Sequence, residues 1–158
     1  MSSPKACKQC GADLALACLD AMRGEDAGVS VTIEGMPAYQ CVQGHKRFLS
    51  ADFPMQLIDR LVKSDTPDFP VARKKGLLKK RYHCPGCDGE LQSDAARHAS
   101  VARSLELKGS AAFNASVAVP LYRCAGCGSE AMHPTEEMTN ALMNAAAQAF
   151  RAAGIPPG

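Results

Sequence analysis

Tyr82-His83-Cys84-Pro85-Gly86-Cys87 and Tyr122-Arg123-Cys124-Ala125-Gly126-Cys127, with 36 residues between the inner cysteines, decide how this chain folds. Two Cys-x-x-Cys knuckles at that separation bring four thiolates to one point, and four thiolates make a closed tetrahedral cage for zinc. Such a cage organises structure and leaves no coordination position for chemistry. Toward the N-terminus the pattern recurs. Cys7-Lys8-Gln9-Cys10 is followed by Pro37-Ala38-Tyr39-Gln40-Cys41, whose P-x-Y-x-C order is repeated in Pro120-Leu121-Tyr122-Arg123-Cys124. The chain reads as a tandem duplication of one metal-nucleated unit.

The second unit supplies Cys84, Cys87, Cys124 and Cys127. In the first, alignment through Cys41 puts Gly44 where Cys127 stands, with His45 immediately after. An imidazole is longer than a thiol, so a ligand shifted by one residue still completes a tetrahedron, and Cys7, Cys10, Cys41 and His45 are the predicted set. Cys18 is the rival fourth ligand. It lies in an apolar stretch, where a lone Cys is ordinarily a small buried hydrophobe. His83 and His133 flank the second group, either as hydrogen-bond donors to its sulfurs or as surface histidines.

Eight cysteines in 158 residues also suit a disulfide framework. The opening Met1-Ser2-Ser3-Pro4-Lys5 has no apolar core of a signal peptide, and no segment has the apolar length of a membrane span. The expectation is a reducing cytoplasm and two zinc ions per chain rather than disulfides. Residues 1–66 form a first module, 67–81 a basic connector, and 82–158 a second module with a terminal helix. Each module has about 70 residues, a size at which a core alone is marginal. Aromatics are 5% and Trp is absent, so Ala, Val, Leu and Met are expected to make the core. Structural zinc, at about 10 kcal/mol or more, supplies what such cores lack.

Each module is expected to be a β-hairpin carrying two zinc knuckles and followed by an α-helix, an α+β fold of two zinc-ribbon-like units. Leu14 to Met22 reads as a strand and Arg23 to Gly28 as a turn. Val29, Val31 and Ile33 alternate with polar residues as a half-buried strand that delivers Tyr39 and Cys41 to the metal. Ser50 to Ser64 reads as a helix with Met55, Leu57, Ile58, Leu61 and Val62 as its apolar stripe. In the second unit Gln92 to Arg103 suits a helix, and Ser104 to Lys108 and Ala115 to Val119 suit strands joined across Gly109-Ser110. Pro134-Thr135-Glu136-Glu137 starts a helix that runs to about Ala153, with Gly154 as its cap. Its stripe of Met138, Leu142, Ala145 and Ala149, with Met143, Ala146 and Phe150 beside it, predicts close packing, and leaves Met138, Leu142, Met143 and Phe150 as candidate partner contacts.

The formal net charge of +2 hides an uneven distribution. Residues 1–70 carry seven Lys+Arg against nine Asp+Glu, and residues 83–158 carry five against seven. Between them Arg73, Lys74, Lys75, Lys79, Lys80 and Arg81 add six uncompensated cations. That run is either a patch for nucleic acid or acidic protein, or a connector kept soluble by charge. It offers only Tyr82 for the base stacking that single-strand binders use.

A Cys-x-x-Cys, a span of thirty residues holding a hairpin, a Tyr shortly before a second knuckle and a helix beginning in acids resemble the YgiT-type zinc finger, the N-terminal zinc-binding domain of MqsA-like antitoxins. The likeness covers Cys7, Cys10, Tyr39 and Cys41 in one half and Cys84, Cys87, Tyr122, Cys124 and Cys127 in the other. It implies a structural zinc domain that binds protein. In those antitoxins a separate helix-turn-helix domain binds DNA; here the second zinc unit takes its place. The expectation is a non-enzymatic module for protein–protein interaction, antitoxin-like or regulatory. Nucleic-acid binding through the basic connector is the alternative.

Overall fold

The alternating residues Val29, Val31 and Ile33 form strand β3 (Val29–Glu34), buried at each of those positions. In the computed structural model, which describes residues 6–64, 68–76, 81–107 and 110–156, β3 pairs antiparallel with β2 (Met22–Asp26) on one side and β9 (Phe113–Arg123) on the other. Beyond β9 lies β8 (Arg97–Leu105), and β10 (Glu130–Ala131) pairs with the C-terminal end of β9. A three-stranded sheet holds β1 (Leu14–Cys18), β4 (Pro37–Cys41) and β5 (Lys46–Arg47). A small hairpin pairs β6 (Arg73–Lys75) with β7 (Arg81–His83). Two helices, α1 (Phe53–Ser64) and α2 (Thr135–Ala152), complete an α+β fold of antiparallel sheets.

Each half contributes one hairpin. In the first, the β2–β3 ladder continues the β1–β4 ladder in the same register, and the Leu19 amide donates to the Met36 carbonyl at 2.9 Å in the gap between them. The strand expected to run from Val29 to Cys41 is therefore broken at Gly35, whose φ is +70°. Tyr39 and Cys41 are delivered by β4 in a different sheet, not by β3. In the second half β9 runs unbroken into Cys124. Its partner β8 covers the polar stretch expected to be helical. Ala99, Val101 and Leu105 lie on its inner face, where an exposed Arg103 interrupts the alternation, while the outer face meets water, and that is why the stretch looks polar.

Arg23 to Asp26 is strand rather than turn, and only Ala27-Gly28 turns. Both have positive φ, 49° and 81°, the requirement of a type I′ hairpin turn. Alanine there is strained by roughly 1 kcal/mol. Ala27→Asn is expected to raise the urea midpoint, with a gain of about 0.5–1 kcal/mol; an unchanged midpoint would show that the turn is not strained. Gly24 misleads composition because its job is spatial. A Cβ there would lie 1.8 Å from the Ala145 carbonyl oxygen and 2.7 Å from the Ala149 amide nitrogen.

That contact explains the alanine-rich terminal helix. α2 belongs to the second half of the chain yet lies across β2 and β3 of the first, backbone close to backbone. Ala141, Leu142, Ala145, Ala146, Ala149 and Phe150 are buried, and Met138 is half-buried. Leu142 and Phe150 are thus core residues rather than partner contacts; Met143 is exposed. The helix ends in a Schellman motif: the Ile155 amide donates to the Phe150 carbonyl, the Gly154 amide to that of Arg151, and Gly154 has φ +78°.

The register of β3 on β9 is crosswise. Thr32 faces Ser116 and Ile33 faces Ala115, so each position meets the counterpart of its neighbour when Cys41 is aligned with Cys124. One apolar core spans both halves, and aromatics enter it after all. Phe48 packs on Phe53 and Phe150, and Phe53 on Phe113. Along α1, Phe53, Leu57 and Leu61 are buried and Ile58 and Val62 half-buried, whereas Met55 is 59% exposed and lies off the stripe. The chain then passes alongside the second half: the Met132 amide donates to the Pro70 carbonyl and the Ala72 amide to the Met132 carbonyl. Leu61 to Ser64 aside, the expected boundary at 66–67 falls outside the described residues, as do Lys79, Lys80 and Lys108.

Candidate metal centres

Three of the four knuckles share one hydrogen-bond frame. The Gly11, Asp88 and Gly128 amides donate back to the carbonyls of Cys7, Cys84 and Cys124, at 2.8, 2.9 and 2.9 Å. All three residues have positive φ, between 65° and 77°. The amides of Cys7, Cys84 and Cys124 then donate to the carbonyls of Ala12, Gly89 and Ser129. The fourth frame, at Cys41, is one residue shorter: Gly44, with φ +88°, donates to the Cys41 carbonyl, and the Cys41 amide to that of His45. Gly44 thus corresponds to Gly128, the residue missing from the frame is the counterpart of Cys127, and His45 stands where Ser129 stands in the second copy.

From that place His45 Nδ1 lies 3.5 Å from both Cys7 Sγ and Cys41 Sγ, while Cys10 Sγ lies 3.7 Å from Cys41 Sγ. In the second group Cys84 Sγ is 3.7 Å from Cys127 Sγ, and Cys87 Sγ is 3.4 Å from Cys124 Sγ. Within each group the four donor atoms lie within 4.8 Å of one another. A tetrahedron with metal–sulfur bonds of about 2.3 Å has edges of about 3.8 Å, or about 3.6 Å where a nitrogen replaces one sulfur. The donors match those edges. They are too far apart for disulfides, whose bond is about 2.05 Å, and all eight cysteines are free. Each group can hold a metal ion. Cys18 belongs to neither and is exposed on β1.

The surroundings also suit a cation. The Gln9 and Gly86 amides each donate to the sulfur two residues back, at 3.4 Å. The Ser129 hydroxyl and amide hold the Cys127 thiol down at about 6. Burial raises Cys41, but the amides of His45 and Gln43 outweigh it and bring the thiol to about 7. The Gly89 amide pulls Cys87 down, yet the crowding sulfurs of Cys124 and Cys127 push it up to about 12. Four sulfurs this close ionise together only around a cation. Gly89 leaves room for them: a Cβ there would sit 3.2 Å from Cys124 Sγ and 3.3 Å from Cys87 Sγ.

Neither flanking histidine bonds to sulfur. His83 Nδ1 lies 3.0 Å from the Asp88 carbonyl oxygen. His133 is stacked between Tyr82 and Tyr122, both ring centroids 4.1 Å away. Burial there lowers its pKa against the pull of Glu137, so the ring is neutral at pH 7. Tyr82 Oη donates to Glu137 Oε2 at 2.6 Å, and Lys74 pairs with the same carboxylate. Burial raises Glu137, but these two partners more than offset it and keep the carboxyl below its usual range.

Lys74 is one of three connector cations engaged with acids of the second half. Lys75 pairs with Asp88 and holds its carboxyl low, and Arg81 pairs with Glu90 at 3.4 Å. Among the described connector cations only Arg73 makes no ion pair. Sequence reading passed over Ser129, whose influence lowers the Cys127 thiol, and over the Tyr82–Glu137 link, which joins residues 55 apart. No helix among the described residues is long and apolar enough to cross a membrane. No family model, curated protein or solved structure matches the chain.

Proposed function

We propose that the protein is a non-enzymatic zinc protein, with one structural zinc ion in each donor group, serving as a protein–protein interaction module, antitoxin-like or regulatory, in the cytoplasm. The observation that carries this reading is the pair of donor sets, one of four sulfurs and one of three sulfurs and an imidazole nitrogen. Such soft, tetrahedral sets favour zinc, and with four protein donors no position remains for a substrate or water. The two units are zinc-ribbon-like modules arisen by duplication. The crosswise register of β3 on β9 is what two copies of one hairpin adopt about a local twofold axis.

The nucleic-acid reading through the connector ranks second. Phosphate binding needs free cations, and Lys74, Lys75 and Arg81 are already paired with carboxylates. Purification from the native host tests the ranking. The expected result is a bound protein that withstands nuclease and moderate salt; a retained nucleic acid whose affinity falls steeply with salt would reverse the order.

The ligand set has its own test. His45→Ala is expected to halve the zinc content, from two ions to one, by emptying the first group alone, while Cys18→Ser leaves both filled. Elemental analysis of the two purified variants reads the outcome, and the opposite pattern would make Cys18 the ligand.

A further inference from the structure

Three of the four described cations of the basic run are paired with carboxylates, but a second cluster of cations is not. A groove of about 370 Å³ opens beside the first donor group, between the Cys7–Cys10 knuckle, β5 and the start of α1. Lys8, Lys46 and Arg47 line it, and none of the three makes an ion pair with a described carboxylate. The lining contains no acid. The next acid along the chain, Asp52, is engaged by the Ser50 hydroxyl and the Gln56 amide. Three thiolates and a neutral imidazole around a divalent ion carry one negative charge. The cations outnumber it by two.

The rest of the lining is largely apolar, with Leu14, Phe48 and Ala51 among its residues. Cavities of roughly 300–1,000 Å³ with apolar walls and a few convergent polar groups are the usual form of a binding site. Phe48 is buried in the core and has no free face for stacking a base. An apolar lining with cations and no acid complements one kind of occupant. We infer that this groove docks an acidic segment of a protein partner, one bulky apolar side chain entering it and flanking Asp or Glu carboxylates meeting Lys8, Lys46 and Arg47. The inference rests on the protein-interaction reading and deepens it by naming the surface and the partner's chemistry.

The probes are two peptides blocked at both ends, Asp-Glu-Leu-Phe-Glu-Asp and its neutral counterpart Asn-Gln-Leu-Phe-Gln-Asn, titrated into the zinc-loaded, nitrogen-15-labelled protein. The acidic peptide is expected to shift the amides of Lys46, Arg47 and Ala51. Affinity should fall by about tenfold for the neutral peptide and for Arg47→Glu. Because Arg47 lies close to His45, Ala51→Glu serves as a second variant, remote from the ligands in sequence, and zinc content is measured in both. Equal binding of the two peptides, shifts confined to Arg73–Lys75, or no shift at millimolar peptide would overturn the assignment. So would tighter binding of a short single-stranded DNA to the same amides. If a protein copurified from the host binds wild type and both variants equally, the groove is wrong and the interaction reading stands. If only nucleic acid is retained from the host, both fall.

Discussion

Cys124→Ser is expected to unfold the protein as a whole, whereas His45→Ala should loosen only one end of it. Cys124 is buried and follows β9, the strand that pairs with β3, β8 and β10. A structural zinc contributes about 10 kcal/mol or more, which matches or exceeds the roughly 5–15 kcal/mol that holds a typical domain. Losing an ion held by the second group would therefore remove the anchor of the strand that joins the two halves. The first group ties together only the N-terminal knuckle, β4 and β5, in a separate small sheet. Far-ultraviolet circular dichroism during heating reads the difference. Cys124→Ser should lose its cooperative transition, and His45→Ala should keep one at lower temperature. A Cys124→Ser variant melting like wild type would mean that the metal does not support the fold.

Gly24→Ala is the second large effect. The new methyl would lie within 1.8 Å of the Ala145 carbonyl oxygen, an atom fixed in the middle of α2 that has no rotamer to escape into. Either the helix lifts off β2 or the strand bends, at a cost of about 3 kcal/mol or more. Gly35→Ala is the matched control. Its surroundings are open and only its φ of +70° resists a side chain, so the cost there is about 1–2 kcal/mol. Urea unfolding of both variants gives the comparison, and equal midpoints would show that α2 is free to move away from the sheet.

The two glycines also show where sequence reading works and where it stops. Knuckle spacing is local geometry, so both donor groups were visible as sets, and the shift to His45 followed from the length of an imidazole. The alternation in β3 was visible because one face is buried throughout. β2 was hidden because Arg, Gly, Glu and Asp look like a turn, while Gly24 answers to a helix more than a hundred residues away. The stripe on α2 said that something covers the helix, but not that the cover is the other half's hairpin. The basic run was plain as charge; the pairing of Lys74, Lys75 and Arg81 with Glu137, Asp88 and Glu90 became visible only in the fold. Conversely Lys46 and Arg47, two cations in an acidic half, stood out only once Lys8 had been folded beside them.

X-ray absorption at the zinc edge of the purified protein tests the central claim most directly, that two closed zinc sites hold this fold. The account predicts two ions per chain whose shared first shell is seven sulfurs and one nitrogen, at about 2.3 and 2.0 Å, with no oxygen. One ion or none, with the cysteines paired as disulfides, or an oxygen in either shell, would contradict it.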